Sequence, residues 1–344
     1  MVLALCLGVA LLVFGSFADR LLPTSAKLPL DLKHSTMTLQ DPHAQAKIPG
    51  DPSGKARDVP MTLQEHTDVV DPANDDFATL RIGQSLVRGG DQPEAQRLAS
   101  AQVWSYRINR LTGEAEGPAT LADMPVVPGG EVPVNGYWFK FPANTPKQEL
   151  PYFDTTLRQS RPAQFAEELN LNGRKVYRFH QDIAPTNLAK LFASQQNTTK
   201  LPEGEGPDAK MVPGYLFHGV VRDIYVDQVT GLVVKLDEKV DDYYGTEDGQ
   251  KRDQQLLFSA ATSEDDMHEF LLQAGKVDDG SLTPMVRWTA LGLGGLLALA
   301  GLIGLFARSG KRRGPRGETA GASRSFDTVS SPSNFDIDAG QAPR

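Results

Sequence analysis

The chain has 344 residues, a formal net charge of −8 and one cysteine, Cys6. Cys6 lies in an apolar segment at the N-terminus, so the remainder of the chain forms no internal disulfide and packing must stabilise it. The acidic balance, together with the absence of a lysine/arginine cluster outside the C-terminal tail, excludes a surface that follows phosphates. We expect no nucleic-acid partner.

Two apolar segments frame the chain. Residues 1–18 predict an N-terminal transmembrane helix or signal anchor, and a cleaved signal peptide is the alternative because Ser16-Phe17-Ala18 resembles a cleavage site. Residues 285–307 predict a transmembrane helix, since the uncharged run from Trp288 to Ala307 is long enough to cross a hydrocarbon core of roughly 30 Å. Basic residues from Arg308 onwards predict that the tail, 308–344, is cytoplasmic, and its composition predicts disorder.

This frame predicts a plasma-membrane protein in which residues 19–284 form an extracytoplasmic, periplasmic domain. Small residues recur in both apolar segments, among them Gly8 in the first and Gly294, Ala298 and Gly301 in the second. Their spacing would allow two helices to approach closely, although glycine is common in membrane helices in general.

The central region has mostly β-strand patterns. Over residues 35–75 we predict two short strands joined by a loop, and the tetrapeptide Met-Thr-Leu-Gln occurs there twice, at 37–40 and at 61–64. Residues 214–226 are apolar on both faces and predict a central strand. Alternating apolar residues predict further strands around 104–108, 137–141, 177–179 and 232–236.

Helices are few in the central region. Residues 263–274 predict one, because Ser263 is a suitable N-cap, acidic residues fill the first turn, and one face is apolar. A second helix is predicted after Thr186, and residues 197–213 are predicted to be a surface loop. The predicted fold class is α+β, mainly β, with curved antiparallel sheets packed with few helices and flanked by two transmembrane helices.

One pattern is repeated within the chain. Residues 108–114 and 226–232 each contain a strand, a polar turn that begins at an Asx residue and ends in Thr-Gly, and the start of another strand. Asx side chains bond their own backbone, and glycine supplies the left-handed conformation that tightens such a turn. Two similar hairpins are one interpretation, and the other is a domain of two similar halves with a boundary near 145–175.

The sequence contains no catalytic motif, metal-ligand spacing or phosphate-binding loop, so we expect neither an enzyme nor a cofactor. Aromatic residues are instead concentrated in one stretch. An ordinary sheet core explains them, and so does an apolar cavity open to an acyl chain. On the second interpretation the candidate ligand-binding residues are Tyr137, Phe139, Phe141, Tyr152, Phe153, Tyr177 and Phe179.

Several short motifs carry a resemblance to a known family. They are Trp-Phe-Lys-Phe-Pro at 138–142, Tyr-Phe-Asp-Thr-Thr-Leu at 152–157, Gly-Arg-Lys-Val-Tyr-Arg-Phe at 173–179 and Tyr-Val-Asp with Thr-Gly at 225–231. In this order, between terminal anchors, they resemble the actinobacterial envelope proteins labelled PorA-family porins. The family pattern has a basic start before the first helix and a Trp-Asp-Gly step near 152–155, and this chain departs from both.

The resemblance implies a role in cell-envelope assembly in bacteria with a mycolic-acid layer. The leading hypothesis is a membrane-anchored protein whose exported domain binds a lipid or mycolate glycolipid and assists its transport, with the 263–275 helix covering one end of the cavity. Its implied partners are the membrane, the lipid ligand and an inner-membrane mycolate transporter. The alternatives are a scaffolding subunit without ligand and a porin, as the family label states.

Overall fold

The computed structural model describes residues 2–21, 26–51, 53–91, 93–123, 129–204, 209–277 and 282–309. The chain divides into two compact units, one made of residues 1–15 and 289–344 and the other of residues 16–288. We call the described residues from 26 to 277 the β-domain. Of the predicted disordered tail, 308–344, all but the first two residues lie outside the described part of the chain.

Four helices and fifteen strands follow in order along the described chain. The helices are α1 (Val2–Leu21), α2 (Glu94–Arg97), α3 (Glu264–Lys276) and α4 (Leu282–Ser309). The strands are β1 (Thr36–Asp41), β2 (Gln45–Lys47), β3 (Ala56–Asp58), β4 (Met61–Val70), β5 (Phe77–Arg88), β6 (Leu98–Asn109), β7 (Ala119–Ala122), β8 (Gly130–Val132), β9 (Leu150–Asp154), β10 (Gln159–Leu171), β11 (Arg174–Asn187), β12 (Thr198–Glu203), β13 (Lys210–Asp227), β14 (Val233–Gly245) and β15 (Lys251–Ala261).

The terminal helices contact each other through small residues. A Cβ atom on Gly8 of α1 would lie 2.5 Å from the backbone nitrogen of Ala298 in α4, and one on Gly301 would lie 2.8 Å from the backbone nitrogen of Leu5. Such close backbone approach is available only to residues without a bulky side chain. The small residues that the sequence singles out therefore form the contact between α1 and α4.

Only one helix in the described residues is long and apolar enough to cross a membrane. It covers Met285–Gly304 within α4, with a mean hydropathy of 1.6, whereas the apolar run of α1, Val2–Ala18, is shorter. The structure therefore leaves two transmembrane helices unconfirmed. A membrane-spanning α1 stays a prediction.

The contact between α1 and α4 predicts a specific cross-link. In a Leu5→Cys/Gly301→Cys variant that also carries Cys6→Ser, oxidation should join the two helices. An added Cβ on Gly301 would lie 2.9 Å from that of Leu5, so a local shift of about 1 Å brings the two Cβ atoms into the range of about 3.5–4.5 Å that disulfides adopt. After proteolysis of the β-domain, the N-terminal and C-terminal fragments should run as one band until a reductant is added. Adding Gly294→Leu should abolish that band, because its Cβ alone would lie 2.9 Å from the Gly8 oxygen and the rest of the leucine side chain forces the helices much further apart than a cysteine does. Separate fragments in the variant without Gly294→Leu would contradict the contact.

The first sheet of the β-domain has six antiparallel strands in the order β1-β4-β5-β6-β7-β8. The two Met-Thr-Leu-Gln tetrapeptides pair with each other at its edge, with Leu39 opposite Leu63 and Thr38 opposite Gln64. The prediction of two strands over residues 35–75 is therefore confirmed for β1 and β4. The segment between them is more than a loop, because it contains the short strands β2 and β3 of the other sheet.

The second sheet has the order β3-β2-β15-β14-β13-β11-β10-β9, and β12 pairs with part of β13. As predicted, the strand apolar on both faces is central, since β13 lies between β11 and β14. The predicted surface loop at 197–213 is wrong in part, because Thr198–Glu203 forms β12, which pairs with residues 210–215. Residues 205–208 of that loop lie outside the described residues.

Both sheets contribute to one hydrophobic core. Leu80, Ile82 and Trp104 of the first sheet and Phe179 and Ile224 of the second are fully buried members of the same cluster. Polar residues alternate with them along each strand, as expected for sheets with one buried face. The predicted class, mainly β with antiparallel sheets, is confirmed.

The helix predicted at 263–274 is present as α3, which ends at Lys276, two residues beyond the predicted end. Ser263 is its N-cap and accepts a hydrogen bond from the backbone nitrogen of Asp266 at 3.1 Å, while Phe270, Leu271 and Ala274 are buried. The prediction of a helix after Thr186 is wrong, because only the 3₁₀ turn Leu188–Lys190 forms there. Its apolar residues pack in a small separate cluster instead of forming a helical stripe.

Candidate functional site: a partly charged cavity between the sheets

Two matching turns follow β6 of the first sheet and β13 of the second sheet. In each, the first residue, Asn109 or Asp227, accepts hydrogen bonds through its side chain from later backbone nitrogens of the turn and through its carbonyl from the glycine four residues on. Those glycines, Gly113 and Gly231, have φ values of 76° and 75°. The repeated sequence thus forms the same turn twice, while an internal duplication of the domain stays a prediction.

The segment 139–145 lies between these two turns. It was predicted to continue a strand through Tyr137, Phe139 and Phe141, but it makes only isolated bridges, because its backbone bonds to the turns instead of to a neighbouring strand. The backbone nitrogen of Phe141 donates to the Gly231 carbonyl at 2.6 Å, and that of Ala143 donates to the Leu111 carbonyl at 3.0 Å.

Lys140 is buried inside this segment, with 1% of its surface exposed. Its Nζ atom donates to the carbonyl oxygens of Leu111 and Phe141 at 2.9 and 3.0 Å. Burial lowers the pKa of Lys140 to about 7, although the Asp227 carboxylate opposes the shift. The lysine therefore acts as a hydrogen-bond donor that joins the segment to the first turn, and it is enclosed too fully to meet a ligand.

Most of the predicted ligand-binding aromatic residues pack against one another. Phe141 stacks on Tyr137, Tyr152 and Phe179 with ring centroids 5.2–5.9 Å apart, and Tyr177 meets the ring of Phe165 edge-on. Of this set, only Tyr152 and Phe153 line a cavity between the two sheets, while Phe139 and Tyr152 line a smaller space beside it. A ligand role for the set stays a prediction, and the geometry concentrates it on Tyr152 and Phe153.

The cavity between the two sheets has a volume of about 170 Å³. Ser100 lines it and is exposed, so the cavity reaches solvent there. A second space of about 20 Å³ shares Glu65, Trp138 and Tyr152 with the first and is bounded by Phe270 of α3. Apolar side chains form much of the wall, namely Met37, Leu39, Leu63, Leu86, Trp138, Phe153, Leu236, Val240, Leu256 and Phe258.

A network of buried charges forms the polar side of the cavity. Arg222 pairs with Asp154 at 2.8 Å and with Glu238 at 3.1 Å, and His218 pairs with Asp242 at 2.6 Å and with Asp154 at 3.4 Å. Burial alone would raise the pKa of Asp154, but the charges of His218 and Arg222 outweigh it and hold that pKa well below the usual range. Burial likewise disfavours the charged form of His218, yet the two aspartates raise its pKa to about 10.

Glu65 faces this network from β4 without a cation of its own. Its carboxylate accepts a hydrogen bond from the side chain of Gln84 at 2.8 Å. Burial raises the pKa of Glu65 to about 7, and repulsion from Glu238 adds to the shift. Glu65 is therefore the group in the cavity whose ionisation is least compensated by the protein.

Glu65 predicts a pH-dependent contribution to stability. Because the folded pKa is about 7 and the ordinary value is 4.5, the folded state binds more protons between these pH values, and stability falls as pH rises through them. Glu65→Gln should remove this loss. The difference in the free energy of unfolding between the variant and the unsubstituted protein should therefore rise by roughly 1–3 kcal/mol, in favour of the variant, from pH 4.5 to pH 8. Urea unfolding of the full chain in detergent at several pH values measures it, with the exposed Glu247→Gln as control; parallel pH profiles for Glu65→Gln and the unsubstituted protein would contradict it.

The charged residues of the cavity were missed by sequence reasoning. Glu238 lies on β14, where charged and apolar residues alternate, a pattern that normally indicates a solvent-facing side. A weak signal was available in β13, where His218 and Arg222 interrupt a strand otherwise apolar on both faces. Two polar residues in a central strand indicate either an internal network or a polar cavity.

The fold and the site define a class: a mainly-β protein with an apolar C-terminal helix, whose two antiparallel sheets enclose a partly charged cavity. The chain belongs to the family described as Porin PorA, whose model matches residues 2–303. This confirms the resemblance seen in the sequence motifs.

Two relatives are similar to this chain. Porin PorA of Corynebacterium resistens is 29% identical over 220 residues, which cover 54% of this chain and 52% of the relative. Porin PorA of Corynebacterium amycolatum is 24% identical over 217 residues, with 55% of each chain covered. The chain therefore spans about half the length of the curated relatives it matches.

Proposed function

We propose that this protein is a membrane-anchored cell-envelope protein whose β-domain binds an amphiphilic lipid in the cavity between its sheets. The observation that carries the proposal is the cavity wall, which is apolar on one side and formed by charged and amide side chains on the other. Ligand sites usually combine such an apolar wall with a few placed polar groups. The role is binding, with no catalytic step.

The volume limits how a lipid is held. About 170 Å³ is less than the roughly 300–1,000 Å³ of pockets that enclose a drug-sized ligand. A long acyl chain therefore does not fit inside the cavity. On this proposal the cavity holds only the head group of the lipid and the first carbons of its chain. The helix α3, whose Phe270 bounds the second space, would cover one end of the interior.

The finer proposal concerns place and role. Basic residues after α4 favour a cytoplasmic tail, which puts the β-domain outside the plasma membrane. A mycolate glycolipid and an inner-membrane transporter are the ligand and the partner that the sequence resemblance implies. On this proposal the protein assists transport of that lipid to the outer layer.

Lipid binding is tested by closing the cavity. Ser100→Trp places a bulky ring at the mouth, whereas Ser105→Trp changes the same strand at a position that does not line the cavity. Full-length protein purified from a mycolate-containing host should carry a stoichiometric lipid, identified by native mass spectrometry. Ser100→Trp should lose it and Ser105→Trp should keep it. A folded, lipid-free protein that takes up no added lipid would contradict the proposal and favour the scaffolding alternative.

The relatives' name raises channel formation as the other alternative. A transmembrane barrel turns an apolar band outwards to lipid, whereas the β-domain buries its apolar side chains between two sheets. This supports the binding role over the channel. Purified protein added to a planar bilayer is expected to give no conductance, and stepwise conductance would favour the porin.

A further inference from the structure

The positive charges that face the cavity are already paired. Among the lining residues in the described part of the chain, Arg222 is the only arginine or lysine. Its guanidinium contacts Asp154 at 2.8 Å, Glu238 at 3.1 Å and the Gln181 side chain at 3.2 Å. His218 lies between Asp154 and Asp242. Carboxylates therefore compensate the charge of both cations, and neither offers an uncompensated positive charge to an anionic head group.

Hydrogen-bond acceptors, in contrast, are in excess. Glu65, Glu238 and Asp242 line the cavity, and Asp154 contacts both cations from behind it. The Gln84 amide and the Trp138 side chain donate hydrogen bonds to the Glu65 carboxylate, and two donors satisfy only part of the roughly four lone-pair sites of a carboxylate. A carboxylate in a site of low polarity needs donors, since an unpaired buried acceptor costs free energy.

From this arrangement we infer that the cavity selects an amphiphile whose head group donates hydrogen bonds and carries no negative charge, and that Glu65 is the residue that enforces the selection. The inference rests on the proposed function and specifies its ligand class. Hydroxyl groups and an ammonium group share this chemistry. Carboxylate and phosphate heads do not, because they would meet Glu65 and Glu238 without a free cation.

The expected discrimination is large. Like charges held a few ångströms apart in a site of low polarity repel strongly, because little water screens them. We expect an anionic head to bind about tenfold less tightly than an uncharged one, which corresponds to about 1.4 kcal/mol. The discrimination against an anionic head should increase between pH 5 and pH 8, because Glu65, with a pKa near 7, ionises in that interval. The groups that face Glu65 are Gln84, Tyr106, Trp138, Tyr152, Arg222 and Glu238.

Three amphiphiles with the same eight-carbon chain test the inference: octyl glucoside, octylammonium and octanoate. The full chain is placed in phosphatidylcholine nanodiscs, and each compound is titrated below its micelle concentration by calorimetry at pH 8. Ser100→Trp in identical nanodiscs measures partitioning into the lipid, which is subtracted. We expect octyl glucoside or octylammonium to bind at least about tenfold more tightly than octanoate.

The outcomes separate the two proposals. Octanoate binding as tightly as both other compounds overturns the inference and leaves lipid binding intact. Binding of none of the three above the Ser100→Trp level overturns the proposed function and this inference with it. Preference for octyl glucoside assigns the donor to hydroxyl groups, and preference for octylammonium assigns it to an ammonium group; both support the inference.

Glu65→Gln identifies the selecting residue. It keeps the size of the side chain and its contact with Gln84, and it removes the charge, so octanoate should bind about tenfold more tightly than before while octyl glucoside changes little. Glu247→Gln, in an exposed turn, should change neither affinity. Unaltered octanoate affinity in Glu65→Gln would overturn the role of this residue.

Discussion

Gly231→Ala is expected to destabilise the β-domain by about 3–5 kcal/mol, through two costs that act together. The residue has a φ of 75°, which L-side chains avoid, and its added Cβ would lie 2.1 Å from the carbonyl oxygen of Phe141. Because that contact is with backbone, the hairpin or the 139–145 segment must move. The hydrogen bond from the Phe141 nitrogen to the Gly231 oxygen then lengthens or breaks.

Gly173→Ala is the matched control. Gly173 has a φ of 81°, but a Cβ there would meet nothing within 4 Å. Its substitution should cost only the conformational term, about 1–2 kcal/mol. Urea unfolding of the two variants in the full chain measures the difference. Equal losses would mean that the turn at Gly231 does not hold the 139–145 segment.

Arg222→Met is expected to be similarly destabilising, by roughly 3–5 kcal/mol. It removes the guanidinium that pairs with Asp154 and Glu238 and leaves two buried carboxylates with one partner fewer. Arg178→Met is the control, since Arg178 makes ion pairs of similar geometry with Glu167 and Asp223 at a more exposed position. That loss should stay below about 1 kcal/mol.

The pH dependence of the Arg222→Met loss distinguishes an electrostatic cause from a packing cause. The pKa of Asp154 is held below its ordinary value in the folded protein, so its pairing contributes stability that is present above about pH 4 and lost as pH falls. The deficit of the variant should therefore shrink as the solution is acidified. A deficit that is the same at pH 3 and pH 7 would indicate lost packing of the arginine side chain instead.

These two substitutions test different parts of one interior. The paired turns fix the position of the segment that carries Trp138 and Phe141 into the core, and the Arg222 network fixes the polar side of the cavity. Burying several charges costs more than burying apolar side chains of similar size. Removing one member of the network is costly because it leaves its partners unpaired, whereas an apolar core in place of the whole network would be about as stable. Stability alone therefore does not explain the network, which is consistent with a role in binding.

The sequence predicted the features that depend on neighbours along the chain. Alternation in 104–108 and 232–236 and the apolar run in 214–226 indicated strands, Ser263 with its acidic first turn indicated α3, and the Asx-Thr-Gly pattern indicated both turns. Each of these depends on backbone geometry within a few residues, which the local sequence fixes. The ordered motifs also indicated the family, which the match over residues 2–303 confirms.

Features that depend on distant residues required the tertiary structure. The aromatic residues at 137–179 were explained by an ordinary sheet core or by a cavity, and only the folded chain shows that Phe141 and Phe179 stack while Tyr152 and Phe153 reach the cavity. The charges of that cavity come from β4, β9, β13 and β14, which are far apart in sequence. The alternation of inward and outward side chains along a strand does not show whether its buried face packs against apolar groups or against charges. That choice is made by the pairing of the sheets, which brings Glu65 of β4 opposite Arg222 and Glu238.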